Sequence, residues 1–223
     1  MSPLAFELIS CVISLAAFLY GMVNLCKKEV PLYFKLYALA VGCYALEEIW
    51  VVVNTIFGTE SSFVSVRLFG TFGFFCFILS ANYGGFDKVT DERTPEDRKA
   101  RLIARIAPLF LFALCILSDV LSYSAKPLSH MILELIVLSP TFPAAYLCLK
   151  HRLLPADHSG VLKATVGTDI VSLLLFLVNS VYLFRFLDTT HLAAYCCDII
   201  MSVMVALMMV FSVWGAKKWK ALL

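Results

Sequence analysis

Seven long, mainly apolar stretches run through this chain, roughly at 4–26, 32–57, 63–86, 104–124, 127–149, 163–187 and 190–214. About 20 apolar residues, rising about 1.5 Å each as a helix, cross a hydrocarbon core about 30 Å thick. The runs are continuously apolar rather than alternating, which excludes a membrane β-barrel. What lies between them is short; the longest connections, about 87–103 and 150–162, are charged and too small to fold.

Composition closes the remaining routes. Of 223 residues, 61% are hydrophobic and 15% charged, against about 45–50% and about 25% in soluble domains. A soluble shell of this size could not cover that much apolar surface. A soluble enzyme, a disordered regulator and a secreted disulfide domain are excluded. The chain reads as an all-α integral membrane protein, a single seven-transmembrane-helix bundle over residues 1–223. The first ten residues carry Glu7 and no Lys or Arg, so the basic start of a cleavable signal is missing and the first span is expected to be retained.

The basic residues orient the bundle. Lys27, Lys28 and Lys35, the six between Lys88 and Arg105, then Lys150, Arg152 and Lys163, and finally Lys217, Lys218 and Lys220 fall at alternate ends of the spans. The other side has Arg67, Lys126 and Arg185. Fifteen against three predicts the N-terminus outside and the C-terminus in the cytoplasm. The tail GAKKWKALL sets a tryptophan among lysines, which suits an anionic membrane surface.

Prolines punctuate the spans. Pro31 and Pro127 suit first-turn positions, and Thr94 ahead of Pro95, Glu96 and Asp97 reads as a capped start that lengthens the fourth helix. Pro140 and Pro143 predict a kink in the fifth span.

Ionisable groups inside the spans are costly, by about 2.5–3.5 kcal/mol each on insertion scales, and turn to the bundle interior. Here they are Glu47, Glu48, Arg67, Asp119, Glu134, Asp169, Arg185 and Asp198. By helical rise, Glu47 lies about 14 Å below the outer end of span 2, and Glu134 and Asp198 lie about 10 Å below theirs. All but Asp169 gather in the outer leaflet. Spacing at i, i+4 and i+7 puts His191, Tyr195, Asp198 and Ser202 on one face of span 7, and Thr165, Asp169, Ser172 and Asn179 on one face of span 6. His130 and Glu134 share a face of span 5; Tyr44, Glu47 and Asn54 share a face of span 2.

This layer has more acids than arginines, with tyrosines nearby. The expected site is an outward-facing pocket of Tyr44, Glu47, Glu48, Arg67, Asp119, Glu134, Arg185, Tyr195 and Asp198. It would take a small polar or cationic ligand through charge and cation–π contact. The competing reading makes the same groups interhelical fasteners, Arg67 on Glu47 or Glu48 and Arg185 on Asp198. A proton path is a third. The adjacent Glu47 and Glu48 cannot both ionise cheaply in a low dielectric, so one is protonated or salt-bridged.

No catalytic motif is present: no GxSxG, HExxH or phosphate loop occurs. Paired-glutamate intramembrane proteases place an arginine four positions after the second glutamate, where this chain has Val52. No lysine falls in the last span before Lys217 to hold retinal. Neither the four histidines nor the eight cysteines have metal-ligand spacing, and the cysteines read as small apolar packing. The expectation is no enzyme, no cofactor and no metal. Partners are the lipid bilayer, a small polar or cationic ligand and a cytoplasmic signalling protein, with no nucleic acid. A receptor-like sensor leads; a small-solute transporter, proton-coupled in one form, and a structural membrane subunit follow. The near-absence of aqueous sequence points to a prokaryotic plasma (inner) membrane.

Overall fold

The computed structural model describes residues 3–58, 66–83, 98–121, 128–153, 161–182 and 192–222. Among them every regular element is a helix: α1 (Pro3–Leu25), α2 (Leu32–Phe57), α3 (Val66–Tyr83), α4 (Arg98–Leu121), α5 (Leu128–Leu138), α6 (Thr141–Leu153), α7 (Val161–Tyr182) and α8 (Leu192–Leu222). With α5 and α6 taken as one broken rod, six rods are long and apolar enough to cross a membrane. The remaining helix, α3, is 18 residues long and carries Arg67 and Asn82 near its two ends. The chain is thus a multi-pass helical membrane protein. Thr94, Pro127, His158 and His191 lie outside the described residues.

Local chemistry accounts for the boundaries. Pro31, with ψ 147°, is the residue that caps α2 rather than a member of its first turn. Gly58 ends α2 at φ 59°, a left-handed position that costs glycine little, and its N–H donates to the Asn54 carbonyl. The expected kink in the fifth span is a full break at Ser139-Pro140, bridged by Thr141 Oγ1 donating to the Leu138 carbonyl at 2.6 Å. Pro143 then falls in the first turn of α6, where a missing N–H is harmless. Helix α4 begins at Arg98, so Pro108 lies deep inside it. That proline removes one backbone hydrogen bond from a span that the sequence starts at 104.

The packing is inverted relative to a soluble protein. Polar side chains such as Ser14, Asn82, Thr168 and Ser172 are buried, while Val12, Phe69, Ile106, Phe110, Ile136 and Val210 are exposed. Such an apolar exterior far exceeds what a soluble monomer tolerates and fits lipid contact. Helix α2 is central, packed on α1, α3 and α8. Its Phe34, Tyr37 and Val41 meet Phe74, Phe75, Phe176, Val205 and Met208 in one core.

Glycines set the closest approaches. A Cβ at Gly70 of α3 would stand 2.7 Å from the Glu47 Cβ of α2, and one at Gly215 of α8 would stand 2.3 Å from the Ala164 carbonyl of α7. Small residues are what let membrane helices come this near.

The last turns of α8 run past the expected span end at 214. Lys218 sits over the Trp214 ring at 3.5 Å, and Trp219 meets Phe34 edge-on at 6.4 Å between centroids. Lys220 bonds to Glu29 in the turn between α1 and α2. That hydrogen bond, with the nearby ammonium charge, holds the Glu29 carboxyl below its ordinary value of 4.5. A carboxylate with a depressed value contributes above its ordinary range and loses its partner as pH falls through the lowered value. In a variant with Trp219 as sole tryptophan, acidification below that range is expected to red-shift the emission. Glu29→Gln should remove that pH step.

Candidate functional site: an acidic cleft at one end of the bundle

The cleft forms where the first turns of α1, α3 and α8 meet the last turns of α2. Arg67 of α3 lies at the centre. Its Nε is 3.2 Å from Glu47 Oε1 of α2, and its Nη2 is 3.6 Å from Asp198 Oδ1 of α8. Thr71, one turn further along α3, donates to the other Glu47 oxygen at 2.7 Å. Glu47 is therefore held from both sides and is only 4% exposed. One turn deeper, the Tyr44 and Ser202 hydroxyls bond at 3.2 Å, tying α2 to α8.

Beside this cluster the cleft is lined by Phe6, Glu7, Ser10, Glu48, Val51, Arg67, Tyr195 and Asp198. It encloses about 240 Å³ including its open mouth, yet a water-sized body can reach only about 10 Å³ of it, room for about one water. The Phe6 and Tyr195 rings stack at 5.3 Å and 12° at its edge. Three carboxyl groups face one guanidinium. Two inward groups, Glu7 Oε2 and Ser10 Oγ, have no hydrogen-bond partner among the described residues.

Of the residues expected from sequence, Glu48, Arg67, Tyr195 and Asp198 line the cleft. Glu47 and Tyr44 support it without lining it. Glu134 is half-buried on α5, which packs against α3 and α4; it is not a lining residue. The Asp119 side chain and Arg185 lie outside the described residues, and the Asp198 partner described is Arg67. Phe6, Glu7 and Ser10 were not expected. Their signal was the spacing of Glu7, Ser10 and Ser14 at i, i+3 and i+7, one face of α1.

A second polar layer lies at the other end. Asp169 of α7 is wholly buried and meets Arg152 of α6 at 2.9 Å. Arg152 also donates to Thr165 at 3.0 Å, Thr165 donates to Asp169 at 3.1 Å, and the Tyr33 hydroxyl of α2 lies 3.3 Å from Asp169. Tyr33 further meets Thr168 and Tyr37, and Asn82 of α3 donates to Tyr37 at 3.0 Å. The sequence places Arg152 in a cytoplasmic loop. Instead, α6 continues to Leu153 and the guanidinium turns inward, with its side chain 17% exposed. The buried carboxylate explains the turn, since an unpaired charge there would be far costlier than a paired one.

All eight cysteines are free, and no group of three or more metal-ligating side chains occurs among the described residues. Set against protein-family models, curated proteins and solved structures, the chain matches none.

Proposed function

We propose that this protein is a seven-span membrane sensor of receptor type, with its N-terminus outside, that binds a small polar or cationic ligand in the cleft of Glu7, Glu48, Arg67 and Asp198. One observation carries the reading: three carboxyl groups face a single arginine in a recess with unpartnered buried acceptors and an aromatic edge. Excess negative charge and π-faces favour a cation there. With the N-terminus outside, the cleft opens outward. The short basic connections offer a surface to a cytoplasmic signalling partner, and the scarcity of aqueous sequence between the spans favours a prokaryotic plasma membrane.

The interior below the cleft favours sensing over passage. By register along each helix, Val41, Phe74, Phe75, Leu175, Phe176 and Val205 lie between the two polar layers, and all are buried. From Tyr37 to Tyr44 this dry zone is about 10 Å deep at 1.5 Å per residue. Transport is the second reading. It is favoured by the polar stripe Tyr33, Tyr37, Tyr44 and Glu48 on one face of α2, which reaches both layers.

In lipid nanodiscs, small cations are expected to raise the unfolding temperature saturably and neutral analogues of equal size to leave it unchanged. Glu48→Gln should weaken that response about ten-fold or more, as expected for losing a hydrogen bond to a charged group. A panel in which no cation binds removes the reading. Flux of a bound cation across proteoliposomes would replace sensing with transport.

A further inference from the structure

We infer that the cleft is shaped for a primary ammonium head group, a narrower claim that rests on the cation reading above. The observation behind it is the pair of unused acceptors on α1. Ser10 is 1% exposed and its hydroxyl makes no hydrogen bond among the described residues, although it borders a polar recess. Glu7 Oε2, three residues earlier on the same helix face, is likewise without a partner. Buried polar atoms are nearly always paired with protein or water, so two that border a single recess with no partner among the described residues are placed to receive donors from whatever occupies it.

Size, charge and donor count then select among cations. The reachable space is close to that of one water, and an –NH3⁺ head is about that size. It brings three N–H donors and no acceptor. Ser10 Oγ, Glu7 Oε2 and the Glu48 carboxylate can receive one each. A quaternary ammonium is several times bulkier and has no N–H, so it would leave the same acceptors unmet. A guanidinium is already supplied by Arg67, which is engaged with Glu47 and Asp198. The substituent on the ammonium nitrogen would leave by the mouth, beside the Phe6–Tyr195 stack.

The test uses the full chain in nanodiscs, titrated with methylammonium, tetramethylammonium and sodium chloride at matched ionic strength, and followed by thermal unfolding. Methylammonium should stabilise saturably, and tetramethylammonium and sodium should act at least ten-fold more weakly. Ser10→Ala should weaken methylammonium about ten-fold while leaving the ligand-free unfolding temperature unchanged or higher, since it deletes an unpaired hydroxyl. Glu7→Gln, which keeps the shape, should weaken it similarly. Equal binding of methylammonium and tetramethylammonium overturns the ammonium inference and leaves the broader cation site standing. So does a saturable response to sodium as strong as to methylammonium. Ser10→Ala that lowers ligand-free stability without changing affinity also overturns it, because the hydroxyl would then be structural. If no cation in either titration or panel binds, both readings fall together.

Discussion

Asp169→Ala is expected to cost about 3 kcal/mol of unfolding free energy, the low end of the roughly 3–5 kcal/mol typical for breaking a buried ion pair from one side. The carboxylate is wholly buried and is the hub of contacts from Arg152, Thr165 and Tyr33. Its removal takes from the Arg152 guanidinium the carboxylate it meets at 2.9 Å. The low end applies because Arg152 is long and retains 17% exposure, so it can swing toward the nearby helix end. The paired replacement Asp169→Leu with Arg152→Met should recover much of the loss, since an apolar pair of similar volume is often neutral or better. Denaturant unfolding in mixed micelles measures both. A single-variant loss below about 1 kcal/mol would show that the pair contributes no more than a surface contact.

Gly215→Ala is expected to be nearly as damaging, about 2–3 kcal/mol, at the upper end for overpacking. The added methyl would stand 2.3 Å from the Ala164 carbonyl oxygen and 2.8 Å from the Phe34 ring. The first of these is backbone, so α7 and α8 must move apart as rods. Gly21→Ala is the control. Its new methyl meets the Met209 thioether at 2.4 Å, and an unbranched methionine end can rotate away. Gly21→Ala should therefore cost well under half as much. Helix propensity favours alanine at both positions, so it cannot supply a loss. Equal losses would show that the Met209 end yields no more readily than the Ala164 backbone and would overturn the contrast.

The sequence was most informative where one dimension suffices. Each of the seven apolar stretches overlaps a helix, and six of the rods are long and apolar enough to cross a membrane, because a backbone in hydrocarbon must satisfy its own hydrogen bonds and only a helix does so locally. The polar faces of α2, α7 and α8 were also legible, since an α-helix converts spacing into direction. Where the sequence placed Arg152 in solvent, it counted a charge near a helix end as an orientation marker. The same charge, one helix away from a buried aspartate, does better inside. The α1 side of the cleft was passed over for a related reason: Glu7 entered only as evidence about the N-terminus, and a single carboxyl four residues from Pro3 has no obvious partner in sequence.

Helical identity and the side of each rod that must avoid lipid are therefore properties of the chain itself, because they follow from local backbone hydrogen bonding and a 3.6-residue repeat. Which polar faces share a layer was decided only in three dimensions. Gly70 against Glu47 and Gly215 against Ala164 set how near the rods approach. Those distances choose Arg67 for Glu47 and Asp198, Arg152 for Asp169, and leave Ser10 and Glu7 Oε2 facing a recess with no hydrogen-bond partner among the described residues. Lateral packing pairs residues far apart along the chain, and no local spacing encodes it.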